Sequence, residues 1–145
     1  MRPRVCLTAC LIATLVLTGF ATAATSHYAG TYTTSRPGAD STQAITLVLG
    51  GAHRATLTTR FPDLERRYGA AILPVRESGS WRERGATAEV HFTRVALVGN
   101  SKQKPRKENK DIAFALKGCR LIAVRYPKLL YGEAGLSFDR AGCKR

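Results

Sequence analysis

At 145 residues, the chain has room for one core and excludes a second domain of useful size. Its 23 lysines and arginines against 10 acids give a formal net charge of +13 at pH 7. That excess favours anionic partners, such as lipopolysaccharide, teichoic or nucleic acid, an anionic membrane or an acidic protein face, and fits a basic surface kept for solubility equally well.

The first 23 residues read as an export signal. Arg2 and Arg4 precede an almost wholly apolar run from Val5 to Phe20, and Ala21-Thr22-Ala23 has the small-x-small pattern that signal peptidase accepts. The run is short for a bilayer span, so cleavage after Ala23 is expected and not anchoring. Leu7-Thr8-Ala9-Cys10 matches a lipobox, but the apolar core follows this cysteine, which argues against lipidation. Removing 23 of the 145 residues, with two arginines, leaves a single 122-residue domain, 24–145, of net charge +11. The expected location is periplasmic or secreted. Cys6 and Cys10 leave with the signal, so Cys119 and Cys143 are the one remaining pair, and an oxidising compartment makes a disulfide the first reading. A redox or metal pair would call for a Cys-x-x-Cys spacing or a nearby histidine.

Along the domain, apolar and polar residues alternate as in half-buried strands. Tyr28, Gly30 and Tyr32 share a face, and Ile45, Leu47 and Leu49 share another. Gly50-Gly51 marks a tight turn into Ala55, Leu57, Thr59 and Phe61, and Pro62 stops that strand. Asp63 to Gly69 reads as one helical turn or a loop. Trp81 follows Gly79 in a further strand, and Ala88, Val90 and Phe92 alternate with Glu89, His91 and Thr93. From Gly99 to Lys110 the pattern breaks, and Lys102, Lys104, Arg106, Lys107 and Lys110 surround Pro105, which predicts an exposed basic loop over 99–110. Ile112, Phe114 and Leu116 resume the alternation. Gly118 allows a turn, Leu121 to Tyr126 form a hairpin arm ended by Pro127, and Leu136 and Phe138 supply a last short strand. About eight strands with no helical crossover predict an all-β fold, an antiparallel up-and-down barrel or a sandwich.

The order of these signals resembles a known family. A Tyr28-x-Gly30-x-Tyr32 strand leads into Pro37-Gly38-Ala39-Asp40-Ser41. Ile45-x-Leu47-x-Leu49, Ala55-Thr56-Leu57 and Gly79-Ser80-Trp81 follow. The stretch 28–95, with looser matching through Phe114, Leu116, Gly118 and Leu121, is similar to the N-terminal barrel of the NlpE family of envelope-stress and copper-resistance lipoproteins and its small lipocalin-like relatives. The resemblance implies a small lipocalin-like barrel in the cell envelope, with sensing or ligand binding as its work. Gly38 and Ser41 stand where that family has the two cysteines of Cys-Ala-Asp-Cys, so thiol-based copper or redox chemistry does not carry over.

No constellation in the sequence points to catalysis. His27, His53 and His91 have no metal-ligand spacing, no nucleophile elbow is visible, and Asp63, Glu65, Glu77 and Glu83 read as ion-pair partners of nearby bases. No enzyme activity, metal or cofactor is expected. The candidate polyanion-binding residues are the five bases of the loop with Arg60, Arg82 and Arg84, joined by Arg76 and Arg94 on one basic wall, or else arginines facing solvent and pairing with Glu65, Glu77, Glu83 and Glu89. Trp81 reads as a core plug at one barrel end or a stacking platform for a ligand. Leu129, Leu130 and Tyr131 beside Lys128 form a candidate contact patch, or a loop folded over the barrel end. The expected partner is an envelope protein or an anionic polymer, with membrane contact at most peripheral, no small-molecule ligand indicated, and a monomeric chain.

Overall fold

Side chains of successive strand residues point to opposite faces, so the alternation above can bury one face of every strand against a common centre. The computed structural model, which describes residues 26–143, has that arrangement. The signal-peptide reading, with Cys6 and Cys10, lies outside the described residues. The strands are β1 (Gly30–Pro37), β2 (Thr42–Leu49), β3 (Arg54–Arg60), β4 (Val75–Arg84), β5 (Thr87–Leu97), β6 (Arg106–Lys117), β7 (Arg120–Arg125) and β8 (Ser137–Arg140). Each pairs antiparallel with the next, and β8 returns to β1 to close an eight-stranded up-and-down barrel. The inward residues Tyr32, Ile45, Leu47, Leu49, Leu57, Val90, Phe92, Ile112, Phe114, Leu121 and Phe138 form one buried cluster.

The two ends of the barrel differ. At one end the connections are short: β2 to β3, β4 to β5 and β6 to β7 turn within two to four residues. Tyr28 and Trp81 plug this end. The Tyr28 hydroxyl donates to the Ala86 carbonyl at 2.6 Å, and Trp81 Nε1 donates to the Gly50 carbonyl at 2.9 Å. Trp81 is therefore core, and its polar edge is satisfied. The turn after Gly50 is a short 3-10 segment, Gly51–His53, in which Ala52 and His53 take left-handed φ values of 53° and 56°. Gly79 stands at a bulge between β4 and β5, where a Cβ would lie 1.9 Å from the His91 carbonyl oxygen, so only glycine fits.

At the other end β1 turns into β2 within four residues, but the remaining connections take longer routes. Residues 61–74 carry helix α1 (Pro62–Tyr68), 98–105 form a loop, and 126–136 carry helix α2 (Lys128–Tyr131). Pro62 opens α1, where a missing N–H costs nothing, and Gly69 at φ 60° ends it. The basic loop expected over 99–110 is shorter than that. Arg106 and Lys107 already belong to β6, paired with Val95 and Arg94, and Lys110 pairs with Phe92. The cause is that inward alternation continues back from Phe114 and Ile112 to Lys110 and Glu108, so a polar stretch behaves as strand.

Closure is thinnest at β8, which shares two register pairs with β1 and three with β7. The Cys119–Cys143 disulfide, with Cα atoms 5.8 Å apart, ties the turn before β7 to the residues after β8. Arg140 reinforces the seam by donating to the carbonyls of Ala29 at 2.6 Å and His27 at 3.1 Å, with its guanidinium 5.7 Å from the Tyr32 ring centroid.

Candidate functional site

A cavity of about 270 Å³ opens at the long-loop end. Ile45 of β2, Leu57 of β3, Val75 of β4 and Phe61 supply apolar wall, while Leu130 and Tyr131 of α2 cover part of it. Arg36, Gln43 and Thr59 of β1, β2 and β3 add polar groups, and the charged groups of β4 and β6 sit at strand positions that obey the same period of two as the core. Glu77 lies four residues before Trp81 on the inner face of β4, and Glu108 and Lys110 lie four and two residues before Ile112 on that of β6.

Lys110 is the buried charge among the described residues, with 4% of its surface exposed. Its Nζ donates to Glu77 and, at 3.0 Å, to the Tyr131 hydroxyl, and it lies 3.7 Å from Glu108 Oε1. The ammonium also stands 5.0 Å from the Phe92 ring centroid and 5.5 Å from that of Tyr131. Burial alone would lower the Lys110 pKa, but Tyr131 and Glu77 outweigh it and hold the group above the ordinary lysine value. Burial raises the Tyr131 phenol. Burial, helped by the Glu77 charge, also raises Glu108 against the pull of Lys110. Glu108 Oε2 is shielded from solvent and has no hydrogen-bond donor among the described residues. At the rim, Arg36 donates to the Leu130 carbonyl at 3.3 Å with its guanidinium 5.3 Å from the Tyr131 ring centroid.

The structure corrects several expectations about the bases. Lys110 cannot meet a polyanion, because it points into the barrel and is spent on Glu77, Glu108 and Tyr131. Lys102, Lys104, Arg106 and Lys107 are exposed, and none has a carboxylate within 4 Å among the described residues. Arg60, Arg82 and Arg84 do not converge. Arg60, at the long-loop end of β3, pairs with Glu65 of α1, whose carboxyl it holds below the ordinary range. Arg82 and Arg84, at the short-turn end of β4, flank Glu89 at 3.1 and 3.8 Å together with Arg125 at 3.1 Å. Desolvation pushes the Glu89 carboxyl up, yet these arginines pull harder and leave it lowered.

That arginine group borders an open hollow of about 630 Å³ on the outer wall, with His91 beside Asp111 at 2.7 Å. It is larger than the end cavity, but its charged side chains are already paired and mostly exposed. The contact patch is divided. Leu129 is fully exposed and Leu130 is 58% exposed, whereas Tyr131 turns inward, because its ring packs on the core and its hydroxyl meets Lys110. The loop does fold over the barrel end.

Sequence reading missed the cavity network of Glu77, Glu108, Lys110 and Tyr131. The signal was available in the strand period, which places charges at inward positions that Ile112 and Trp81 already define. Compared with family models, curated proteins and solved structures, the chain finds no match in any of the three.

Proposed function

We propose that this chain is an exported, non-catalytic binding protein of the cell envelope, an accessory or stress-sensing barrel of NlpE-like type that recognises another envelope component through its long-loop end. The observation that carries this reading is the exposure of Leu129 and Leu130 on α2, directly over the barrel end with the long connections. Two adjacent exposed leucines on a short rim helix suit a protein contact, with aliphatic side chains packed against a partner and Lys128 at the edge. The disulfide accords with an oxidising compartment. The test is capture of a defined envelope protein by the purified chain, followed by Leu129→Asp with Leu130→Asp. Loss of capture in that variant and persistence of wild-type capture at high salt are expected; equal capture by both proteins would remove α2 from the reading.

A second reading is favoured by the exposure of Lys102, Lys104, Arg106 and Lys107, without a paired carboxylate among the described residues, at one edge of the same end. These four bases would hold an anionic polymer such as lipopolysaccharide or nucleic acid, without Lys110.

A further inference from the structure

We propose that the long-loop end cavity binds a small amphiphile with a protonated amine head, the ammonium pairing with Glu108 and the apolar body lying on Ile45, Leu57, Phe61 and Val75. This site goes beyond the protein contact assigned to α2 and stands without it.

An ammonium has three N–H groups, and those of Lys110 face Glu77, Tyr131 and Glu108 Oε1. One buried cation thus serves two carboxylates, and Glu108 Oε2 has no donor among the described residues. A shielded acceptor of this kind costs free energy until a donor arrives, and native structures rarely leave one unsatisfied. Glu108 keeps about a fifth of its side chain exposed and lines a cavity of about 270 Å³, so a donor entering there reaches the carboxylate, and a half-turn about its last bond presents Oε2; Gln43 and Thr59 add neutral polar groups to a wall otherwise made by Ile45, Leu57, Phe61, Val75 and Leu130. A few polar groups converging in an apolar hollow are the usual make-up of a small-ligand site.

The charges select the head group. Glu77 faces the cavity from β4, Glu108 and Lys110 from β6, Tyr131 from α2 and Arg36 from β1. Arg36 is engaged at the rim by the Leu130 carbonyl and the Tyr131 ring, and it has no ion pair to Glu108. A carboxylate head would meet two carboxylates already sharing a single buried ammonium. A neutral alcohol would supply the donor but leave Glu108 with only the share of the Lys110 ammonium that Glu77 does not take. An ammonium supplies both donor and charge, which also accords with the raised Glu108 carboxyl: a cation beside it favours ionisation.

The experiment is titration calorimetry of the purified protein near neutral pH with n-hexylammonium, n-hexanol and n-hexanoate. Saturable one-site binding of the amine is expected, with the alcohol and the acid weaker by at least about tenfold. Glu108→Gln should weaken the amine by a similar factor while circular dichroism and melting temperature show an intact barrel. Val75→Phe, which enlarges a half-buried side chain of the cavity wall, should block binding without touching any charge while circular dichroism shows an intact barrel. Absence of saturable amine binding, equal binding of hexanol, or unchanged amine affinity in Glu108→Gln would each overturn the proposal. The single Leu129→Asp variant, at a fully exposed position outside the cavity lining, should retain amine binding, so failure of the protein contact and failure of this site are read separately.

Discussion

Glu108 shows how one side chain can be set against the stability of its own fold. Its carboxyl is raised by burial and by the Glu77 charge, more than Lys110 at 3.7 Å can reverse. A group whose folded pKa lies above its unfolded value contributes stability that is present below the unfolded value and lost as pH rises through the folded one. Ionised Glu108 therefore destabilises the barrel near neutral pH. Glu108→Gln, which keeps the shape and removes the charge, should raise stability there by about 1 kcal/mol. That gain should vanish as pH falls below the ordinary carboxyl value of 4.5, since both proteins then carry a neutral side chain. Chemical denaturation of the two proteins across this range checks it; a pH-independent difference would assign the effect to packing instead. Lys110 and Glu108 were hidden in the sequence by their company. Five bases around a proline read as a solvated loop, and only the position of Lys110 relative to Ile112 reveals an inward-facing charge.

Elements with one apolar face were legible throughout, because aliphatic residues at a period of two suit a half-buried strand and little else. β2, β3, β5 and the C-terminal half of β6 stand where the alternation puts them. The first half of β6 was not legible, since its pairing with β5 is made by backbone groups that charged residues present as well as apolar ones do. That difference changes what the basic edge can do. Lys102 and Lys104 ride on a loop, whereas Arg106 and Lys107 are fixed on a strand and Lys110 is withdrawn from solvent. Replacing Lys102, Lys104, Arg106 and Lys107 by glutamine should leave stability within about 0.5 kcal/mol, because no buried contact is lost. If this edge holds an anionic polymer, affinity for single-stranded DNA or lipopolysaccharide at low salt falls. The salt dependence of DNA binding should then flatten by roughly three logarithmic units per decade of salt, as expected for four lost phosphate contacts. Unchanged affinity would return these bases to plain solvation. Lys110→Gln should not reproduce the effect on the salt slope, because that ammonium never reaches the polymer.

At the scale of the molecule, closure was predictable in kind but not in detail. Eight strands paired each with the next leave two edges, and pairing these edges removes the exposed ladder that would invite aggregation. The sequence does not disclose that the last strand has four residues and meets β1 through only two register pairs. A short strand at the closing seam shifts the work of closure to other links: Cys119–Cys143, the Ala141 N–H donating to the Thr31 carbonyl at 2.8 Å, and Arg140 across the ends of β1 and β8. The disulfide spans 24 residues, a loop for which chain entropy gives about 3 kcal/mol of stabilisation. Cys119→Ser with Cys143→Ser should therefore lower stability by about that much, and the melting temperature by on the order of 10 °C. Because neither cysteine belongs to a strand pairing, the variant should remain a barrel at room temperature. Hydrogen exchange should show faster amide exchange in β8 and the facing part of β1, with β4 and β5 unchanged. Uniformly faster exchange would mean that the barrel opens as one unit, and that the seam is not its weakest line.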